Sequence, residues 1–248
     1  MTEHPPIAQH PINIADPHSY DHRHANVQSG WLRAAVFGAM DGLVSNIALI
    51  AGIAGAGASA RVITLTGVSG LIAGAISMAL GEYTSVRTQN EQLDYEVHTE
   101  SEALRRNPQG EELELIDQLV EIGMTHKTAQ YAAAEVHGNH DSALRLHLSN
   151  ELGLSVDERP SPWIAALSSL LAFGIGALIP VLPYLFGLTN ILWALGFGAT
   201  GLILAGGLAA TFSRSGIAKN ALRQLIFGGI AVSVTYALGM LLGVSSLG

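Results

Sequence analysis

The chain has 248 residues, of which 49% are apolar and only 13% are Asp, Glu, Lys or Arg; a typical soluble domain carries about 25%. Its formal charge of −8 argues against a nucleic-acid partner. The absence of cysteine excludes disulfides and thiolate metal sites, so any metal must be held by carboxylate, imidazole, thioether, carbonyl or water.

Residues 1–30 are polar and carry His4, His10, His18, His22 and His24 at irregular spacing. They contain no apolar core of the kind a secretory signal needs. The segment reads as a flexible tail that either collects metal or is a dispensable extension.

From there the chain reads as all-α, a polytopic membrane protein. A membrane helix needs about 20 mostly apolar residues, and five segments qualify. The first runs from Leu32 to Gly57 with Asp41 inside it, and the second from Val62 to Val86 with Glu82 near its end. The others run from Trp163 to Leu185, Ile191 to Phe212 and Leu225 to Val244. The stretch from Pro160 to Ser213 contains no charged residue at all, which a bilayer permits and a soluble surface does not. Small residues such as Gly67, Gly70 and Gly74, or Gly196, Gly198 and Gly201, let such helices approach closely, as in a tight bundle or a dimer. Arg23 and Arg33, then Arg87, Arg105 and Arg106, then Arg214, Lys219 and Arg223 fall on one side of this alternation. That placement puts the N-terminus in the cytoplasm and the C-terminus outside it.

Between spans two and three lies an insert, residues 87–159, with 15 acidic and 6 basic residues, a formal charge of −9. The expected organisation is therefore a tail (1–30), spans one and two (31–86), an acidic cytoplasmic helical module (87–159) and spans three to five (160–248). In the module, span two continues as helix through Leu104. Further helices are predicted over Glu111–Ile122, from the Thr125 N-cap to Gly138, and over Asp141–Leu152.

Several residues carry chemistry. Asp41 lies within a membrane span, where a carboxylate costs at least ~2.5 kcal/mol and normally serves ions or protons. Ser45 shares its face at i+4, while Met40 is adjacent in sequence but about 100° round the helix. Met78 and Glu82, at i and i+4, place a thioether and a carboxylate on one face of span two, a pairing that suits a borderline cation such as Fe²⁺. In the module, Glu96 and Glu100, Glu111 and Glu114, and His147 and Glu151 recur at helical spacing. Each pair reads either as two metal ligands or as part of a solvated acidic face.

Arg33-Ala-Ala-Val-Phe-Gly-Ala-Met-Asp-Gly-Leu-Val-Ser45 and Ser77-Met-Ala-Leu-Gly-Glu-Tyr-Thr-Ser-Val-Arg87 resemble the vacuolar iron transporter family. So do the acidic insert ending Asn150-Glu-Leu-Gly-Leu154 and Gly228-Gly-Ile-Ala-Val-Ser-Val-Thr-Tyr236. The resemblance covers about residues 31–248. It implies a five-helix homodimer that exports Fe²⁺, and often Mn²⁺, from the cytosol in exchange for protons. The host membrane would be a bacterial inner membrane or a vacuolar membrane. The resemblance aligns Asp41 and Met78 with the family's transport site, and Glu100, Glu111, Glu114, His147 and Glu151 with the ligands of its metal-binding module. Met40 stands where the family commonly has Asn. Ala103 replaces an expected carboxylate, with Glu102 and Glu96 close by. His147-Leu148 replaces a Met-Met pair, an exchange of sulfur for imidazole that Fe²⁺, Mn²⁺ and Zn²⁺ all tolerate.

The nearest alternative is a Mn²⁺-preferring exporter of the same architecture, and two other classes compete. A membrane-anchored di-iron ferroxidase would carry paired Glu-x-x-His motifs; the nearest here are Glu96-Val-His98 and Glu135-Val-His137, at the wrong spacing. A metal sensor would bind ions in the insert and pass none, and has little need for Asp41 and Glu82.

Overall fold

A computed structural model describes residues 30–152, 159–213 and 216–245, and all regular structure among them is helical. Helix α1 (Gly30–Gly55) is followed by a turn in which Gly57 takes φ +78°, and then by α2 (Ala60–Arg106), which is 47 residues long. At 1.5 Å per residue α2 measures about 70 Å, more than twice the ~30 Å hydrocarbon core of a bilayer. Its apolar first half suits a membrane, and its second half must then project beyond it. The expected continuation of span two through Leu104 is observed, so residue 87 falls inside an unbroken helix.

The insert adds α3 (Pro108–Glu121), α4 (His126–His137) and α5 (His140–Leu152). Asn107 caps α3 by accepting from the Gly110 N–H at 3.1 Å, and Thr125 caps α4 by accepting from the Thr128 N–H at 3.3 Å. These caps satisfy amide donors that the first turn leaves unpaired. Between the two helices Gly123 adopts φ +109°, a conformation that glycine takes without a Cβ clash. Leu115, Ile116 and Leu119 of α3 pack on Ala129 and Ala133 of α4 to form the core of the module. The chain is then tied back to α2. Arg159 pairs with Asp94 at 2.5 Å, and the Asn90 side-chain amide donates to the Pro160 carbonyl at 3.0 Å.

The third apolar segment differs from expectation. Instead of one helix over Trp163–Leu185, α6 (Pro162–Leu178) spans 17 residues and is followed by a four-residue helix, α7 (Leu182–Leu185). Pro180 is the cause: it has no N–H to donate, and its ring conflicts with the carbonyl four residues earlier. Helices α8 (Ile191–Ser213) and α9 (Ile217–Ser245) complete the chain. Four helices, α1, α2, α8 and α9, are long and apolar enough to cross a membrane, and α6 is a shorter apolar helix.

α1 packs against α6, α9, α2 and α8. The approach to α6 is close because neither helix has a side chain at the crossing. A methyl group at Gly42 would meet the Phe173 carbonyl, and one at Gly176 the Ala39 carbonyl. Buried Asn46 of α1 donates through Nδ2 to the Gly67 carbonyl of α2 (3.1 Å) and the Ala177 carbonyl of α6 (2.6 Å). One amide thus joins three helices inside an apolar layer, where an unpaired polar group would be expensive.

Candidate metal pathway

A cleft of about 370 Å³ opens between α1 and α2. Asp41 and Ser45 line it from α1, Met78 and Glu82 from α2, and Phe173 of α6 closes one wall. The Asp41–Ser45 and Met78–Glu82 spacings turn both pairs inward, because i and i+4 share a helix face. The Ser45 hydroxyl lies 2.9 Å from Asp41 Oδ1 and 2.5 Å from the Asp41 carbonyl, and it donates to this residue. That leaves the rest of the Asp41 carboxylate able to accept a cation or a proton. Met78 is half-buried and packs beside Phe173. Glu82 is 9% exposed and faces Arg33, whose Nη2 lies 3.4 Å from Oε2. A guanidinium therefore already sits at a carboxylate that lines the cleft. Met40 does not line the cleft. It turns the other way, and its sulfur accepts from Gln224 Nε2 of α9 at 3.3 Å. The 100° step between neighbouring helical residues separates it from Asp41.

The second group of ligand-type side chains lies beyond the apolar half of α2. Glu100 of α2, Glu111 of α3 and His147 of α5 each bring one ligand atom within 4.8 Å of the other two. The His147 side chain is fully buried. Its Nδ1 lies 3.3 Å from Glu100 Oε1 and 4.0 Å from Glu111 Oε2. Its other nitrogen, Nε2, lies 3.1 Å from Nε2 of His137. Burial, and then the neighbouring His147, hold His137 below the usual histidine value of 6.5, against a smaller opposing pull from Glu112. Two carboxylate oxygens and one imidazole nitrogen form a donor set that divalent Mn, Fe and Zn all accept.

The other module candidates are placed differently. Glu96 is half-buried and is not one of the three clustered residues. Glu102 pairs with Arg106 one turn on, at 2.8 Å. Glu114 is exposed on α3. Glu151 is in the last turn of α5, and its side chain lies outside the described residues.

Residues 32–240 match the VIT family. The chain belongs to that family. Among the relatives of this VIT-family chain are vacuolar iron transporter homolog 3 of Arabidopsis thaliana, 30% identical over 86% of the chain and 84% of the relative, and the vacuolar iron transporter of Acanthamoeba castellanii, 31% identical over 86% and 79%. VIT-like transporter 1b of Glycine max is 30% identical over 88% and 78%. Together with the four long apolar helices, this makes the protein an integral membrane protein. The histidine-rich tail precedes the matched segment.

Three residues at or near these candidate sites escape a reading of the sequence. Arg33 stands inside the first motif, yet only the fold reveals Glu82 as its partner. Asn46 carried a usable signal, being a polar side chain within an apolar span. His137 carried none, since its proximity to His147 depends on how α4 and α5 fold back on each other.

Proposed function

We propose that this protein transports divalent metal across its membrane, with Fe²⁺ as the first substrate and Mn²⁺ as a second. The observation that carries the proposal is the convergence of Asp41, Ser45, Met78 and Glu82 on one cleft between two apolar helices, in a chain whose relatives are named vacuolar iron transporters. In this reading the acidic module, at −9, raises the local cation concentration by electrostatic focusing. Glu100, Glu111 and His147 hold the ion there, with Zn²⁺ as an alternative occupant. The ion then passes Glu82, displacing the Arg33 guanidinium, and reaches Asp41 and Met78.

Asp41 takes up either metal or a proton, so the exchange of one for the other is coupled at a single carboxylate. The arginine placement supports export from the cytosol, with the module on the cytoplasmic face. α6, at 17 residues, is about 26 Å long; followed by α7 it serves as a fifth crossing. Ser45, Ser77 and Gly81 leave the cleft open on one side, and a carboxylate such as Asp41 is expensive beside lipid. That supports a homodimer in which a second copy covers the opening.

Uptake of Fe²⁺ and Mn²⁺ into proteoliposomes, with and without an imposed pH gradient, tests this reading. The expected result is saturable uptake of Fe²⁺, with slower Mn²⁺ uptake, both accelerated by an outward proton gradient. Vesicles that bind metal yet accumulate neither ion would overturn transport in favour of the sensor reading.

A further inference from the structure

We propose that His137 is a positioning residue for metal capture: it fixes the tautomer in which His147 presents a bare Nδ1 to Glu100 and Glu111. The inference rests on the module gathering metal. A neutral imidazole has one proton, so one ring nitrogen donates while the other accepts. Ligation through Nδ1, on the side of the two carboxylates, requires the proton to be on Nε2. His147 is fully buried, so an N–H there needs a protein acceptor. Nε2 of His137, 3.1 Å away, is placed to accept it. Metal-binding histidines are characteristically held by such a bond from the ring nitrogen that does not bind the ion.

Glu100 favours the opposite arrangement while no metal is bound. Its Oε1, 3.3 Å from Nδ1, attracts a proton carried there electrostatically, and His147 Nε2 then accepts from His137. Metal binding reverses the pair. The Nδ1 proton of His147 leaves to solvent, the Nε2 proton of His137 passes to His147, and half-buried His137 regains one from solvent at its own Nδ1. Each ring stays neutral and the proton count is unchanged. Sequence spacing gives no hint of this relay, because His137 lies on a different helix from all three clustered residues.

Full-length protein in lipid nanodiscs, titrated with Zn²⁺ alone as a diamagnetic probe, provides the test. His137→Gln keeps an acceptor oxygen and is expected to hold Zn²⁺ within about threefold of the native protein. His137→Leu cannot accept and is expected to bind about 10- to 100-fold more weakly. In ¹⁵N-histidine spectra of the native protein, Zn²⁺ is expected to shift the His147 proton to Nε2. That measurement decides the matter if the Leu variant fails to fold: a proton remaining on Nδ1 overturns the proposal. So does a folded Leu variant that binds as well as the Gln variant. A Gln variant as weak as Leu, together with two imidazoles on zinc in the native protein by X-ray absorption and one in the variant, would overturn the proposal by making His137 a direct ligand. Glu100→Gln separates the two levels. If it leaves Zn²⁺ affinity unchanged, the metal-gathering reading of the module falls and this proposal with it. If it weakens binding while His137→Leu does not, only the role of His137 falls.

Discussion

Asp41 in the cleft is half-buried, with a serine hydroxyl beside one carboxylate oxygen. His147 in the module is sealed from solvent, with two carboxylates near one ring nitrogen and a second imidazole at the other. Both regions use carboxylates, but one sets its ligand-type groups along an open cleft and the other surrounds them. The contrast follows from the environment of each. In an apolar layer every added charge is expensive, so a pathway there has few charges and each must be released easily. Outside that layer charge is cheap, and a site can collect several donors.

The comparison breaks most sharply at Asp41. Asp41→Asn preserves shape and removes the charge, and transport in proteoliposomes is expected to fall by about 100-fold or more, the equivalent of about 3 kcal/mol. Zn²⁺ binding at the module should be unaffected. Native transport rates in a well-folded Asn variant would reduce Asp41 to a structural residue.

Glu100→Gln with Glu111→Gln is expected to raise the half-saturating metal concentration about tenfold while lowering the maximal rate much less. Glu114→Gln, on the solvent side of α3, should change either quantity by less than about twofold. Equal effects from Glu114 and from the clustered pair would mean that the module acts only through its total charge. In that case 1 M salt, where the screening length is about 3 Å, should abolish both effects.

Arg33 offers a finer test. If its guanidinium competes with incoming metal for Glu82, Arg33→Gln should lower the half-saturating concentration by about two- to threefold, in keeping with a pair that is open to solvent on one side. Arg33→Lys should stay near native. A rise in the Gln variant would show that the arginine supports the cleft rather than competes within it.

The smallest expected effect is one of pH. His137, facing His147 and Glu112, is held below its unfolded value of 6.5. The unfolded chain therefore binds more protons between the two values, so stability is fully present above pH 6.5 and is lost as pH falls through the lower, folded value. Thermal unfolding of the full chain at about pH 7.5 and about pH 5.5 should show a drop that His137→Gln reduces. Identical drops in both proteins would remove His137 as the source.

Much of this architecture is legible from residues alone. The charge-free run from Pro160 to Ser213 announces a membrane, and the cost of placing Asp41 and Glu82 in apolar helices singles them out as candidates, which the fold brings to one cleft. Helix boundaries in the module follow local signals, the Thr125 cap and Gly123, which need no knowledge of the fold. What escapes depends on distance along the chain. Pro180 was visible, yet the length of the apolar segment concealed that it splits the segment in two. Glu111 and Glu114 look equivalent at i and i+3, but Leu115 separates them. At about 100° per residue, Glu111 lies about 40° from that core position and Glu114 about 100° away. Choosing between them requires knowing which face of α3 is buried, and α4 decides that.

The unbroken helix α2 has a mechanical consequence. Glu100 and Glu82 are 18 residues apart on one rod, a separation of about 27 Å along the axis. A lever arm of that length turns a tilt of about 5° pivoting at Glu82 into a displacement of about 2.4 Å at Glu100. Drawing Glu100, Glu111 and His147 together around an ion is a movement of that scale, so the same torque reaches the wall of the cleft without any intervening joint to absorb it. An ion held in the module would then bear directly on the angle of α2 at the cleft.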